Sequence, residues 1–421
     1  MKAHHSFAPT PPLGWNSWDC YGASVREEEV RQNALYMSKY LKEYGWEYIV
    51  VDIQWYEPNA KSDIYNPFAE LVMDEYGRLM PCEKRFPSSA NKMGFKPLAD
   101  FVHSLGLKFG IHILRGVPRY AVLKRLPVYG TNLTCADICD TTSYCEWNTD
   151  MFGVDPNKVG AQEYYDSIIS LYAEWGVDYI KVDDISRPYR KGETELIRKA
   201  IDKTGRPIVL SLSPGAAPIG EAQHLINHAN MWRMSDDFWD NWKQLYDTFE
   251  LCSMWNERRT IGAWPDCDML PLGRIGIRSH HGDRYTRFTK DEQMTLMALW
   301  CIFRSPLMFG GDMVYNDEWT LGLMTNTDLL RMVKHGSNVR ELVRTKNYAV
   351  WTSVDDENKN VYLAQFNISE NKLTLKTSLD ELGIAGEVTI TDVFSKESKK
   401  VSDKVVSEVP PHGVKAYKIL K

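Results

Sequence analysis

Hydrophobic residues in the first three quarters of the chain fall into short apolar runs, separated by longer stretches with helical periodicity. The runs have the length and the β-branched character of strands that are buried in a parallel sheet. We predict strands at residues 13–18, 48–52, 108–114, 178–183, 207–212, 231–235, 260–264 and 306–310. Between them, residues 25–44, 161–175 and 290–303 concentrate apolar side chains on one face, which predicts amphipathic helices.

This alternation predicts an α/β fold, a (β/α)₈ TIM barrel over residues 1–330. Eight strands with intervening helices are the content of such a barrel. A doubly wound open sheet also alternates strands and helices. That fold would carry a glycine-rich phosphate-binding turn after a strand, and no predicted strand is followed by one. The barrel is therefore the stronger prediction.

The pattern changes after about residue 329 to short strands separated by polar turns. The predicted strands are residues 348–353, 361–366, 372–377, 387–392 and 414–419. Short strands with turns between them are typical of an antiparallel sandwich. We therefore predict a second domain, a C-terminal β-sandwich over residues 331–421.

One connection in the barrel region stands out by its length. Residues 116–157 form a long and irregular segment after the third predicted strand. Loops of this size at the carboxyl ends of barrel strands commonly shape a binding site. We expect this segment to border the functional site.

Composition excludes some partners. The net charge is −6 and the 50 basic residues are scattered, which argues against a nucleic-acid partner. The sequence has no run of about 20 uncharged apolar residues, so no membrane-spanning helix is predicted. Residues 1–12 are polar and proline-rich, so we expect a cytoplasmic protein, or a periplasmic or secreted one if a signal peptide was removed. The eight cysteines permit disulfides without requiring them, and the oligomeric state cannot be predicted.

Acidic residues collect at the ends of four of the eight predicted strands. Because side chains at the carboxyl ends of barrel strands face the active site, these aspartates are expected to share one rim. They are accompanied by Lys181, Arg233 and several tryptophans. The aspartates are Asp52, Asp183, Asp184, Asp236, Asp237, Asp266 and Asp268.

Clustered carboxylates without histidines at the same strand ends suit two chemistries. One is binding of a hard cation such as Mg²⁺. The other is glycoside hydrolysis, in which one carboxylate attacks the anomeric carbon and a second protonates the leaving oxygen. Lys181 would keep a neighbouring carboxylate ionised, as a nucleophile requires, whereas a metal site gains nothing from a nearby cation. The glycosidase is favoured, and a non-catalytic carbohydrate-binding protein remains a rival.

The same residues resemble glycoside hydrolase family 27, the family of α-galactosidases and α-N-acetylgalactosaminidases. The likeness spans residues 11–312 and continues more weakly to the C-terminus. Its markers are GWNSW at 14–18, KVD at 181–183, WR at 232–233 followed by Asp237, DML at 268–270, ALW at 298–300 and SPL at 305–307. The resemblance implies a retaining hydrolase with Asp183 as nucleophile and Asp237 as acid/base, and no metal or cofactor. It also implies sugar contacts by Trp18, Asp52, Lys181, Arg233 and Asp268.

Three departures from the family pattern bear on the substrate. The family usually ends its second strand in two aspartates that bind the 4- and 6-hydroxyls of galactose, whereas this chain has Asp52 followed by Ile53. Ser213 and Ala216 stand where α-galactosidases tend to have a glutamate against the 2-hydroxyl. His112 stands at a common tyrosine position. We count Ile53, His112 and Ser213 among the substrate-binding candidates.

These observations predict an exo-acting hydrolase of oligosaccharides or polysaccharides that releases terminal α-D-galactose. An α-N-acetylgalactosaminidase and a β-L-arabinopyranosidase on the same scaffold stay open as alternatives. The arabinopyranosidase is kept because its sugar lacks the 6-hydroxyl. A buried site that cannot pair a hydroxyl disfavours the sugar that carries it.

Overall fold

Eight parallel strands form one curled sheet in the computed structural model, which describes residues 2–420. Neighbouring strands pair in the order β7-β6-β5-β4-β3-β2-β1-β8. The two ends of this order meet just after β7, where Leu270 N donates to Met308 O at 2.8 Å and Gly310 N donates to Leu270 O at 3.0 Å. The predicted (β/α)₈ barrel is confirmed. Its strands are β1 (Leu13–Asn16), β2 (Tyr48–Val51), β3 (Lys108–Leu114), β4 (Tyr179–Asp183), β5 (Val209–Leu212), β6 (Met231–Arg233), β7 (Trp264–Asp266) and β8 (Leu307–Phe309).

Helices follow the barrel strands and carry their apolar faces inward. The three helices predicted from periodicity are present, at Glu27–Tyr40, Ala161–Glu174 and Lys290–Phe303. Short helices at Trp18–Tyr21, Arg119–Leu123 and Cys135–Ile138 lie in the loops. The longer ones are α1 (Glu27–Tyr40), α2 (Lys96–Ser104), α3 (Ala161–Glu174), α4 (Lys191–Thr204), α5 (Ala222–His228), α6 (Trp242–Trp255), α7 (Lys290–Phe303), α8 (Glu318–Met324) and α9 (Thr327–His335). None within residues 2–420 has the length and apolar character needed to cross a bilayer.

Helix α7 differs from the others because it is buried on nearly every side. A capping box begins it: Thr289 N donates to Glu292 Oε2 at 2.8 Å, and Glu292 N donates to Thr289 Oγ1 at 3.3 Å. The helix then packs against α9 on one side and against strands of the C-terminal domain on the other. After its polar first turn, residues 290–293, the helix is largely apolar on every side, as its burial requires.

The C-terminal domain is an antiparallel β-sandwich, as predicted. A six-stranded sheet in the order β9-β10-β11-β16-β13-β14 faces the two-stranded sheet β12-β15. Three strands were not predicted from the sequence. β14 is largely exposed and lysine-rich, and β9 is interrupted by register shifts. In β15 the exposed Val406 and the buried Ser407 obscure the alternation of apolar and polar residues. The strands are β9 (Gly336–Arg344), β10 (Tyr348–Asp355), β11 (Val361–Asn367), β12 (Leu373–Ser378), β13 (Val388–Asp392), β14 (Ser398–Val401), β15 (Lys404–Val409) and β16 (Val414–Leu420).

Two sequence predictions need correction. Residues 260–263, predicted to begin the seventh strand, form a tight turn in which Thr260 and Ala263 exchange backbone hydrogen bonds, and Gly262 takes a φ of +88°. The strand begins at Trp264 instead. The segment 116–157 is not irregular: Val117–Pro118, Cys139–Tyr144 and Met151–Val154 form a small antiparallel sheet. Its strands are too short and too interrupted to show a period in the sequence.

The N-terminal end of the barrel is filled with side chains. Tyr48, Tyr179, Met231 and Trp264 pack together there, and Trp264 Nε1 donates to Ala8 O at 2.8 Å. Because this end is closed, the open end is the one where the strands finish and where the aspartates stand.

Candidate active site

A cavity of about 750 Å³ opens at the carboxyl ends of the barrel strands. It brings together side chains from β4 and β6 and from the loops that follow β1, β2 and β7. Eight of the ten residues predicted for the site line it: Trp18, Asp52, Ile53, Lys181, Asp183, Arg233, Asp237 and Asp268.

Asp183, the predicted nucleophile, ends β4 and is only 5% exposed. Ser213 Oγ donates a hydrogen bond to Asp183 Oδ1 at 2.5 Å. On the other oxygen, His112 Nε2 lies 2.9 Å and Lys181 Nζ 3.7 Å from Oδ2. Burial alone raises the pKa of Asp183, but the charge of Lys181 and the contacts with His112 and Ser213 outweigh it and hold the pKa below its ordinary value. The carboxyl is therefore ionised at neutral pH, as nucleophilic attack requires.

His112 and Ser213 lie behind this carboxylate, outside the set of residues that line the cavity. His112 is on β3 and fully buried, and Ser213 follows β5 and is 1% exposed. The structure gives both a position from which they orient Asp183. Direct contact of either with the sugar stays a prediction.

Lys181 links two carboxylates at the centre of the site. Its Nζ lies 2.9 Å from Asp52 Oδ2, which also accepts a hydrogen bond from Asn16 Nδ2 at 2.6 Å. Burial opposes the charge of Lys181, but Asp183 and Asp52 outweigh it and raise the pKa above its ordinary value. The side chains of Asp52, His112 and Asp183 are close enough to hold a metal ion together, with ligand atoms within 4.8 Å. Lys181 Nζ already contacts both carboxylates, so the arrangement is an ion-pair network.

Arg233 joins the predicted acid/base to a second aspartate. Its Nη2 lies 3.2 Å from Asp237 Oδ1 and 2.6 Å from Asp268 Oδ2. Asp268 also accepts a hydrogen bond from Phe238 N at 2.7 Å. The side chain of Asp237 is 55% exposed, whereas that of Asp183 is 7% exposed. One carboxyl can thus exchange protons with solvent while the other is held dry, which matches the two roles in double displacement.

The aspartates adjacent to the predicted catalytic pair have arginine partners of their own. Arg115 Nη2 lies 2.8 Å from Asp184 Oδ2, and burial raises the pKa of Asp184 to about 6. Asp236 pairs with Arg187 at 2.6 Å on the surface, where both side chains are more than half exposed. Sequence spacing alone could not separate Asp183 from Asp184 or Asp236 from Asp237. Their different surroundings in the structure distinguish them.

Aromatic residues from two loops complete the cavity and were missed by the sequence analysis. Tyr65 stacks on Trp18 with ring centroids 6.0 Å apart, and Trp147 lies 5.5 Å from Tyr65. Trp147 lines the cavity and belongs to the segment 116–157, which confirms the prediction that this segment borders the site. Loop length was the only signal for Trp147, and nothing in the sequence pattern indicated Tyr65. Other lining residues not predicted as site residues are Asp19, Tyr144, Glu146, Asp184, Arg187, Pro188, Arg190, Pro214, Gly215, Asp236, Phe238, Trp239 and Met269.

A carboxylate-lined cavity at the open end of a (β/α)₈ barrel, with one ionised and one solvent-exposed aspartate, defines an O-glycosyl hydrolase. Comparison with known families agrees. A family model described as alpha galactosidase A matches residues 10–159 and 156–333. A second model, the alpha galactosidase C-terminal beta sandwich domain, matches residues 345–419. The chain belongs to the α-galactosidase family, glycoside hydrolase family 27.

Individual relatives carry the names of three different glycosidases. An α-galactosidase from Cyamopsis tetragonoloba is 27% identical over 99% of this chain and 87% of its own. A family 27 β-L-arabinopyranosidase from Geobacillus stearothermophilus, solved in complex with arabinose, is 55% identical with a TM-score of 0.98, covering 100% of this chain and 99% of that one. A putative α-N-acetylgalactosaminidase from Bacillus halodurans is 51% identical with a TM-score of 0.89, covering 97% of both chains.

Proposed function

We propose that this protein is a retaining exo-β-L-arabinopyranosidase, with activity on α-D-galactosides as a weaker second function. The observation that carries the proposal is Ile53, an apolar side chain that lines the cavity directly after Asp52. The 55% identity to the Geobacillus stearothermophilus arabinopyranosidase supports it. α-D-Galactose, the substrate predicted from the sequence, becomes the second candidate.

The two sugars differ at one position of the ring. β-L-Arabinopyranosides and α-D-galactopyranosides share their ring stereochemistry, but only galactose carries a hydroxymethyl group on C5. Asp52 Oδ1 accepts a hydrogen bond from Ile53 N at 2.8 Å, and Oδ2 accepts from Lys181 and Asn16. Ile53 itself offers no polar atom beyond its backbone. A galactose 6-hydroxyl directed at Ile53 would lose a hydrogen bond, at a cost of about 1–3 kcal/mol.

That cost sets the size of the expected preference. An apolar wall rejects a sugar with an additional hydroxyl by about 100-fold at most. We therefore expect a preference for the arabinopyranoside of about 10- to 100-fold in kcat/KM, with galactoside activity still measurable.

The proposed reaction has two steps. Asp183 attacks the anomeric carbon while Asp237 protonates the leaving oxygen, and a glycosyl ester forms on Asp183. Asp237 then removes a proton from water, which releases the sugar with its anomeric configuration retained. Lys181 keeps Asp183 ionised, and Arg233 orients Asp237 and Asp268.

The test compares kcat/KM for p-nitrophenyl β-L-arabinopyranoside, α-D-galactopyranoside, α-D-N-acetylgalactosaminide and α-D-glucopyranoside. The proposal expects the first to be the best substrate and the second to follow. A galactoside preference would contradict the proposed specificity. Proton NMR of the first product should show β-L-arabinose, and α-L-arabinose as the first product would contradict retention.

A specific observation keeps N-acetylgalactosamine as a further candidate. Ser213 and Ala216, the small residues that stand where α-galactosidases tend to have a glutamate, flank Pro214 and Gly215 of the cavity wall. Gly215 has no side chain, so we expect this wall to leave more room beside the sugar C2 than a glutamate would. The comparison of the four aryl glycosides tests this alternative as well, since it would make the N-acetylgalactosaminide the best substrate.

A further inference from the structure

Three side chains with metal-binding atoms meet on the outside of the barrel, away from the catalytic aspartates. Glu195 is on α4, and His224 and His228 are on α5. The two histidines are four residues apart and therefore project from one face of their helix. Ligand atoms of the three residues lie within 4.8 Å of one another, and all three are partly exposed. We propose that Glu195, His224 and His228 form a structural site for Zn²⁺.

Both imidazole rings are held by their Nδ1 atoms. His228 Nδ1 lies 2.8 Å from His224 O, and because a carbonyl only accepts, this nitrogen carries the proton and Nε2 has the free lone pair. His224 Nδ1 lies 2.7 Å from Tyr189 Oη, which leaves its Nε2 to face Glu195. Zinc-binding histidines are oriented in this way, with the second ring nitrogen bound to a carbonyl or another polar group.

The spacing fits a tetrahedral ion. Two ligand atoms at about 2.0 Å from zinc stand about 3.3 Å apart. His224 Nε2 and Glu195 Oε1 are 3.2 Å apart. The rings of His224 and His228 lie side by side with centroids 4.1 Å apart, and one ligand atom of each of the three residues lies within 4.8 Å of the others. Two imidazoles and one carboxylate leave a fourth position, which the partial exposure opens to water.

A basic side chain lies beside the proposed site. Lys199 opposes the ion, with Nζ 3.9 Å from Glu195 Oε2, but its side chain is 65% exposed and can turn into solvent.

Zinc at this position would brace the rim of the active site. Tyr189, which contacts His224, lies in the loop between β4 and α4. Its neighbours Pro188 and Arg190 line the catalytic cavity. An ion on α5 would thus hold this loop through Tyr189. The role is structural, and the hydrolytic steps do not use it.

The experiment is calorimetric titration of ZnCl₂ into the full chain, purified without a histidine tag and stripped with EDTA. Wild type should bind one Zn²⁺ per chain. Glu195→Gln and His228→Ala should each weaken binding by at least about tenfold, and Tyr189→Phe by about tenfold through the orientation of His224. Co²⁺ should give the visible absorption of a tetrahedral site in wild type and lose it in His228→Ala.

The matched control is His281→Ala, which removes one ring of the exposed pair His280 and His281, whose centroids are 3.7 Å apart. This variant should bind Zn²⁺ as wild type does. Circular dichroism and the Tm of each metal-free variant establish that it is folded. No binding by wild type, unchanged binding in both Glu195→Gln and His228→Ala, or loss of binding in His281→Ala would overturn the proposal.

Discussion

The hydroxyl of Ser213 donates to Asp183 Oδ1 at 2.5 Å, so the residue after β5 holds the carboxylate that ends β4. This bond contributes to the low pKa of Asp183, and its loss should raise that pKa. Ser213→Ala should therefore lower kcat by about tenfold, because one oriented hydrogen bond is lost. The acidic limb of kcat/KM should move to higher pH. A pH–rate profile measures both, and Ser213→Thr, which keeps the hydroxyl, should restore the limb.

Replacement of the predicted nucleophile should abolish hydrolysis. Asp183→Ala should lose about 10⁴-fold or more in kcat, because no covalent intermediate forms. Azide that enters the vacated space should yield the α-L-arabinopyranosyl azide, with inverted configuration, which NMR identifies. Activity near the wild-type level would reject Asp183 as the nucleophile.

Replacement of the acid/base should lead to a glycosyl azide of the opposite anomeric configuration from that formed by Asp183→Ala. In Asp237→Ala the ester on Asp183 still forms from aryl glycosides with good leaving groups, and azide should release it as the β-L-arabinopyranosyl azide. The matched control is Asp236→Ala, which removes the neighbouring surface carboxyl that pairs with Arg187. The control should keep activity within a few-fold of wild type. If Asp236→Ala behaves as described for Asp237→Ala, the two roles must be exchanged.

Sugar preference should follow the side chain at position 53. Ile53→Asp adds an acceptor where the galactose 6-hydroxyl is expected, so the ratio of galactoside to arabinopyranoside kcat/KM should rise by about tenfold or more. Ile53→Val, which keeps the wall apolar, should leave the ratio nearly unchanged. An unchanged ratio in Ile53→Asp, in a folded variant, would show that this position does not face the 6-hydroxyl.

An ion pair between the domains should make stability depend on pH. Asp328 on α9 lies 2.9 Å from Lys396 Nζ and 3.0 Å from Lys418 Nζ in the C-terminal domain. Burial raises the pKa of Asp328, but these lysines outweigh it and lower the pKa below its ordinary value. Its contribution is therefore complete above the ordinary pKa and is lost as pH falls through the lower, folded-state value.

Asp328→Asn should accordingly lower the free energy of unfolding by about 1–2 kcal/mol at pH 7 and by progressively less below about pH 4. Denaturant unfolding of wild type and variant, at pH 7 and again below about pH 4, measures the change in the free energy of unfolding. Asp403→Asn is the control, since Asp403 pairs with Lys404 on the exposed surface and should contribute little at either pH. An equal loss in both variants at pH 7 would contradict the role of Asp328.

Much of the barrel and of its catalytic face could be predicted because both follow from local patterns. Asp52 and Asp183 stand at strand ends that the hydrophobic runs reveal, and a barrel places such ends together. The distinction between Asp183 and Asp184 was beyond the sequence pattern alone. It depends on Arg115, which lies 68 positions or more before them and meets Asp184 only in the folded chain. Tyr65 was likewise unpredictable, since its loop has no period.

The burial of α7 bears on how the chain can be divided. One continuous apolar core runs from the barrel through this helix to Trp351 and Phe366 of the sandwich. His412 adds polar ties, with its Nδ1 2.8 Å from Glu292 Oε1 and its carbonyl accepting from Thr295 Oγ1 at 2.7 Å. A truncated barrel would leave this surface in water and invite aggregation. The barrel and the sandwich should therefore unfold in a single cooperative transition. The sandwich keeps water away from apolar side chains that the barrel alone would expose.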